Sequence, residues 1–136
     1  VKNMVLKITV MAPDKVICTS TADEIILPGL TGQVGILEGH IPLMTSLDTG
    51  LLKIKLDQKW TPILLCGGIA QVNQDSVIVL VNEVEDFLKI DLKEATEALE
   101  TATLELQNVE TSKERLDASI KVKKALATVE GIKLLS

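Results

Sequence analysis

Few side chains in this chain of 136 residues could do chemistry. His40 is the only histidine, so a histidine-based metal site or proton relay has no second member. Cys18 and Cys66 are far apart and flanked by apolar residues, which suits small buried hydrophobes in a reducing compartment. The Gly32-Gln-Val-Gly35 run lacks the lysine-serine ending and the strand–loop–helix setting of a phosphate loop. Its glycines read as turn residues. Asp and Glu are scattered over turns and helix faces. No catalytic, cofactor or metal constellation is expected, and the chain by itself is not expected to be an enzyme.

Bulk composition narrows the partners. The chain is 46% apolar and 24% charged, enough for a core with a soluble surface. The longest apolar run, Val77 to Val81, is far short of the ~20 residues of a membrane span. No basic stretch followed by an apolar one opens the chain, so it is expected to be made where it works or to have lost a leader already. A net charge of −5 argues against nucleic acid, and Trp60 and Phe87 alone make no base-stacking platform.

Short apolar runs separated by turn signals fill the first ninety residues. Met4 to Val10, Val16 to Thr19, Glu24 to Leu27 (stopped by Pro28-Gly29), the stretch through Ile36, Leu51 to Leu56, Thr61 to Leu65, Ile69 to Val72 and Ser76 to Val81 read as strands. Asp57-Gln58-Lys59 and Asn73-Gln74-Asp75 read as turns between them. This is the pattern of a β-sandwich or flattened barrel.

Composition changes at Phe87 to Asp91. From Asp91 to Glu130 there is neither Gly nor Pro. Leu92, Ala95, Leu99, Ala102, Leu106 and Val109 make one helical stripe; Ala118, Val122, Ala125, Val129 and Ile132 make another. The break at 108–112 lies between them. Asp91 with Glu94, and Thr111 with Glu114, can cap two helices of about 18 residues each, with Gly131 just past the end. The fold class is therefore a mainly-β N-terminal sandwich, residues 1–88, plus an α-helical C-terminal hairpin of two antiparallel helices, residues 89–136.

The seam is thin, since two of its six positions in the first helix and two of five in the second are alanine. Such a hairpin must lean on the sandwich or on a partner. Its charge is also split. Six acids and one base lie over 91–110, six bases and three acids over 111–136. Lys121, Lys123 and Lys124 could pair within the hairpin or address an acidic surface elsewhere; both remain open on the residues alone.

Three stretches, Gly32-Gln-Val-Gly-Ile-Leu-Glu-Gly-His40-Ile-Pro-Leu43, Gly67-Gly68-Ile-Ala-Gln-Val-Asn73 and Val79-Leu-Val-Asn82-Glu83, resemble the ε subunit of F-type ATP synthases. Lys59-Trp60-Thr61 and the Ile-Asp-x-x-Glu-Ala pattern at 90–95 resemble its photosynthetic branch, chloroplast or cyanobacterial. The resemblance covers nearly the whole chain. It implies a non-catalytic rotor (central-stalk) subunit that couples the γ subunit to the c-ring, peripheral to the stromal or cytoplasmic face of the thylakoid membrane. The membrane would be met only through the complex. Gln33, Glu38, His40 and Pro42, beside Gly32, would face the c-ring. The hairpin would inhibit ATP hydrolysis by extending into the catalytic α/β head, with Arg115, Lys121, Lys123 and Lys124 as its contacts. Relatives that bind ATP carry Ile-Asp-x-x-Arg-Ala. Here Ile90, Asp91 and Ala95 match but Glu94 replaces the arginine, and a carboxylate repels phosphate, so weak or absent ATP binding is expected. A small-ligand-binding sandwich with a coiled-coil tail for self-association is the alternative; one His, one Trp and one Phe give it little to orient a ligand.

Overall fold

The structure, a computed structural model, describes residues 6–85 and 91–135. The expected strand start at Met4, the boundary between 88 and 89, and Ile90 lie outside the described residues. Eight strands come first: β1 (Leu6–Ala12), β2 (Lys15–Ala22), β3 (Glu24–Gly29), β4 (Gly32–Ile36), β5 (Leu43–Leu56), β6 (Lys59–Val72), β7 (Ser76–Val81) and β8 (Val84–Glu85). Two helices follow, α1 (Leu92–Asn108) and α2 (Ser112–Leu135).

Seven strands hydrogen-bond in the order β2-β1-β7-β6-β5-β3-β4, and β8 pairs with β6. All neighbours are antiparallel except β1 and β7. Leu6, Ile8 and Val10 of β1 share one core with Ile25 and Leu27 of β3, although three strands separate β1 from β3 in the order. The sheet must therefore fold over on itself, which makes the sandwich. Its alternation is regular at β7, where Val77, Val79 and Val81 are buried and Ile78 and Leu80 exposed.

The fold-over happens within β5 and β6. Their ladder keeps one register from Leu43↔Val72 to Leu56↔Lys59 and drops a pair only at Asp48, opposite Gly67. Across that point the inward parity changes. Leu47, then Leu52 and Ile54, face the core on β5; Leu65, then Ala70 and Val72, face it on β6. Gly67 (φ 86°) and Gly68 (φ 148°) take up the change with backbone that L side chains rarely adopt. One half of the β5–β6 hairpin thus joins β7, β1 and β2 in a first layer. The other half joins β3, β4 and β8 in a second.

The strands differ in detail from the sequence-based expectation. Pro28-Gly29 does not stop β3, because the β3–β5 ladder is irregular between Ile26 and Gly29 and needs no donor from Pro28 there. The runs expected to be separate around Gly67-Gly68 are one strand, and β5 starts eight residues before Leu51. Asp57 and Gln58 do form the expected turn, both with positive φ, and the Asp23 carboxylate accepts from the Asp57 amide at 3.1 Å.

Both caps are where the sequence puts them. The Asp91 carboxylate accepts from the Glu94 amide at 2.8 Å, and the Thr111 hydroxyl accepts from the Glu114 amide at 3.1 Å. Ala95 and Ala102 of α1 and Ala118 and Val129 of α2 are buried, whereas Ile132 of the second stripe packs instead in the contact with Leu51 and Leu64 of the sandwich. Gly131, expected just past a helix end, is instead buried inside α2, which runs 24 residues to Leu135. Tertiary packing of the last turns outweighs the ~1 kcal/mol that glycine costs a helix.

A Cβ on Gly68 would collide with the Leu80 carbonyl oxygen. Gly68→Ala is expected to destabilise the chain by about 3 kcal/mol, from strain at positive φ plus displaced β7 backbone. Urea denaturation measures this, and a loss below about 1 kcal/mol would contradict the role given to this joint.

Candidate interaction surfaces

Among the described residues no group of three His, Cys, Asp or Glu side chains is placed to hold a metal, and no described helix is long and apolar enough to cross a membrane.

The outer face of the first layer is bare and apolar. Ladder partners set Ser46, Ile69, Leu80, Met11 and Val16 side by side across five strands, with Met44, Gln71, Ile78 and Thr9 in the adjacent row. Met44 is 68% exposed, Ile69 46% and Leu80 51%. Contiguous exposed apolar surface of this kind is a candidate contact surface. A shallow hollow of about 260 Å³ opens on it, lined by Met11, Pro13, Ile69, Leu80 and Asn82.

The outer face of the second layer is covered by α2. Leu51 and Leu64, opposite each other on β5 and β6, bury against Ala127, with Ile132 beside them. Lys123 Nζ donates to both Asp48 carboxylate oxygens at 2.9 and 3.2 Å. Asp48 also accepts from the Thr49 amide at 2.8 Å, which orients it. The contact continues along α2, where Leu126, Glu130, Lys133 and Leu134 line two hollows with Pro28, Gln33 and Lys53.

The four residues assigned to c-ring-facing loops do not form one patch. Gln33, on β4, lines a hollow of about 140 Å³ under α2, with Pro28, Thr49, Lys123 and Glu130. Glu38, His40 and Pro42 lie past the other end of β4. There the Gly39 amide donates to the Gln74 carbonyl, which ties this loop to the β6–β7 turn. His40 Nδ1 lies 2.7 Å from the Ile41 carbonyl oxygen, as a donor. Leu37 and Ile41 on the same loop are well exposed. Sequence reasoning named the polar residues there and passed over these two, whose signal was an apolar residue inside a Gly- and Pro-punctuated loop.

The basic residues of α2 are divided between different faces. Lys121 Nζ lies 3.5 Å from Glu105 of α1, Lys123 turns to the sandwich, and Lys124 lines a cleft of about 440 Å³ between the helices. Arg115 is exposed in the first turns of α2, its amide donating to the Thr111 carbonyl. Lys121 and Lys124, three positions apart, line that cleft together while Lys123 faces the sandwich, so the docked hairpin divides these lysines between two faces.

Asp91 and Glu94 are used as a helix cap, and neither lines the interhelical cleft. Titration calorimetry is expected to show no micromolar ATP binding to the intact chain. Asp91→Ala is expected to lower stability by ~1 kcal/mol through loss of the cap.

Comparison with known proteins meets this geometry. Residues 5–87 match the family described as ATP synthase, Delta/Epsilon chain, beta-sandwich domain. The chloroplastic ATP synthase epsilon chain of Thalassiosira pseudonana is 61% identical over 133 residues, covering 98% of this chain and 100% of that one. That of Phaeodactylum tricornutum is 60% identical with the same coverage. The fold also matches a chain in the cryo-EM structure of Euglena gracilis mitochondrial ATP synthase, with a TM-score of 0.75 at 24% identity, over 98% of this chain and 82% of that one. The sandwich is thus that of the delta/epsilon class. At this identity over full length, the chain belongs to the ATP synthase epsilon-chain family. It is accordingly a non-catalytic subunit of the synthase.

Proposed function

We propose that this chain is the central-stalk subunit of a chloroplast ATP synthase, peripheral to the stromal face of the thylakoid membrane. The bare face of the first layer, centred on Ile69, Ile78 and Leu80, receives the γ subunit. The loop from Leu37 to Pro42 rests on the c-ring. The C-terminal hairpin, docked on the second layer here, extends into the catalytic α/β head and restrains ATP hydrolysis through Arg115, Lys121, Lys123 and Lys124.

One observation carries the regulatory part. The hairpin is closed on itself along its own seam, and among the described residues the apolar centre of its contact with the sandwich is Leu51, Leu64, Ala127 and Ile132, beside the solvent-reached Asp48–Lys123 pair. An element so held can leave without unfolding either part. The two apolar surfaces are also on opposite layers, so a partner on the first layer does not compete with the hairpin on the second. The self-association reading is less favoured, because Ala95, Ala102, Ala118 and Val129 of the two stripes are already buried within one chain.

Deleting residues 91–136 is expected to leave γ capture unchanged and to raise ATP hydrolysis of the assembled head severalfold. An unchanged hydrolysis rate rejects the inhibitory role. Leu80→Lys, on an exposed outward position, is expected to weaken γ capture at least about tenfold, as charge placed in an interface centre does. Undiminished capture would remove γ from this face.

A further inference from the structure

We infer that Asp48 and Lys123 form a latch that sets how often the hairpin leaves the sandwich, and that docking and inhibition compete for the same cation. The inference rests on the inhibitory role proposed above and names the contact that regulates it.

The latch follows from the joint in β5. Asp48 is the residue that drops out of the β5–β6 ladder, so its backbone is released where the chain changes parity. Its carboxylate is held by the Thr49 amide, next to Leu51, and aimed at α2. Lys123 meets both of its oxygens, four residues before Ala127, one helical turn from the apolar contact. The apolar contact gives the hairpin a place to rest. The ion pair adds a charge term that solvent can reach, since the side chains are 45% and 29% exposed. A pair in that setting is modest and screened by salt. It therefore tunes the docked fraction instead of fixing it. The neighbouring lysines are differently placed, Lys121 towards Glu105 and Lys124 towards the cleft with α1. They travel with the hairpin when it leaves. Lys123 exchanges its acidic partner on undocking, from Asp48 to an acidic surface on the catalytic head.

The test uses the full chain with an Ala127→Cys probe, which reacts with a thiol reagent only when undocked; its rate at position 127 is read by peptide mass. Asp48→Asn is expected to speed labelling about two- to fivefold, the range of a half-exposed pair, and to strengthen inhibition of the assembled enzyme. Lys123→Gln is expected to speed labelling equally without strengthening inhibition, since the released hairpin lacks the cation. The exchange Asp48→Lys with Lys123→Asp is expected to slow labelling back toward the original rate while inhibition stays weak. Higher salt is expected to speed labelling in the original pair and not in Lys123→Gln. The latch is overturned if Asp48→Asn leaves the labelling rate unchanged, or if the exchange fails to slow it. Labelling needs no catalytic head, so these results stand apart from the truncation assay that tests inhibition itself.

Discussion

The structure depends on a change of parity halfway along one hairpin. A strand shows alternate residues to alternate faces, so a strand serving two layers must shift its phase once. Gly67 and Gly68 make that shift on β6, and Asp48, unpaired in the ladder, marks it on β5. From it follow the common core, with Leu47 and Ala70 on one side and Leu52 and Leu65 on the other. From it also follow two outward surfaces on one pair of strands, Met44 with Ile69 and Leu51 with Leu64. The same joint divides the molecule's labours: one surface is covered by its own helix, the other left apolar and open.

The helices show what alanine does in a seam. Small residues let α1 and α2 approach closely while burying little surface, so the hairpin keeps its form without a deep core. α2 needs a second apolar side for Leu51 and Leu64, and Ala127 with Ile132 supplies it. Shape is held by caps and by α1; position is held by α2 against the second layer and by a charge. Separating those two duties lets one part move while both stay folded.

Much of this was legible in the residues. Periodicity gave the helices, because Leu92 to Ile132 repeats at helical spacing over two long runs, and Asp91 and Thr111 gave their starts. Alternation gave β7 and the second half of β5. The first half of β5 was not visible, because Met44-Thr-Ser46 and Asp48-Thr-Gly50 carry no apolar alternation and are strand only through β6. Gly67-Gly68 looked like an interruption for the same reason: a bulge and a break share the same residue types. The far end of α2 was missed at Gly131, where burial decides and local propensity does not. The candidate site residues were the least legible. Gln33 and His40 are close in sequence but lie toward opposite ends of β4, and Lys121, Lys123 and Lys124 are divided between two faces of a helix. Which surface a residue faces depends on a tertiary contact that no local spacing encodes.

The one parallel ladder has a kinetic consequence. Ile8 lies beside Val77 and Val10 beside Val79, so the first described strand is completed by nearly the last. Until β7 has left the ribosome, β1 can pair only with β2, and the inner face of that two-stranded ribbon stays wet. Closure of so long a loop is slow compared with forming a local helix pair. During that interval β1 is the edge most in need of protection from other chains.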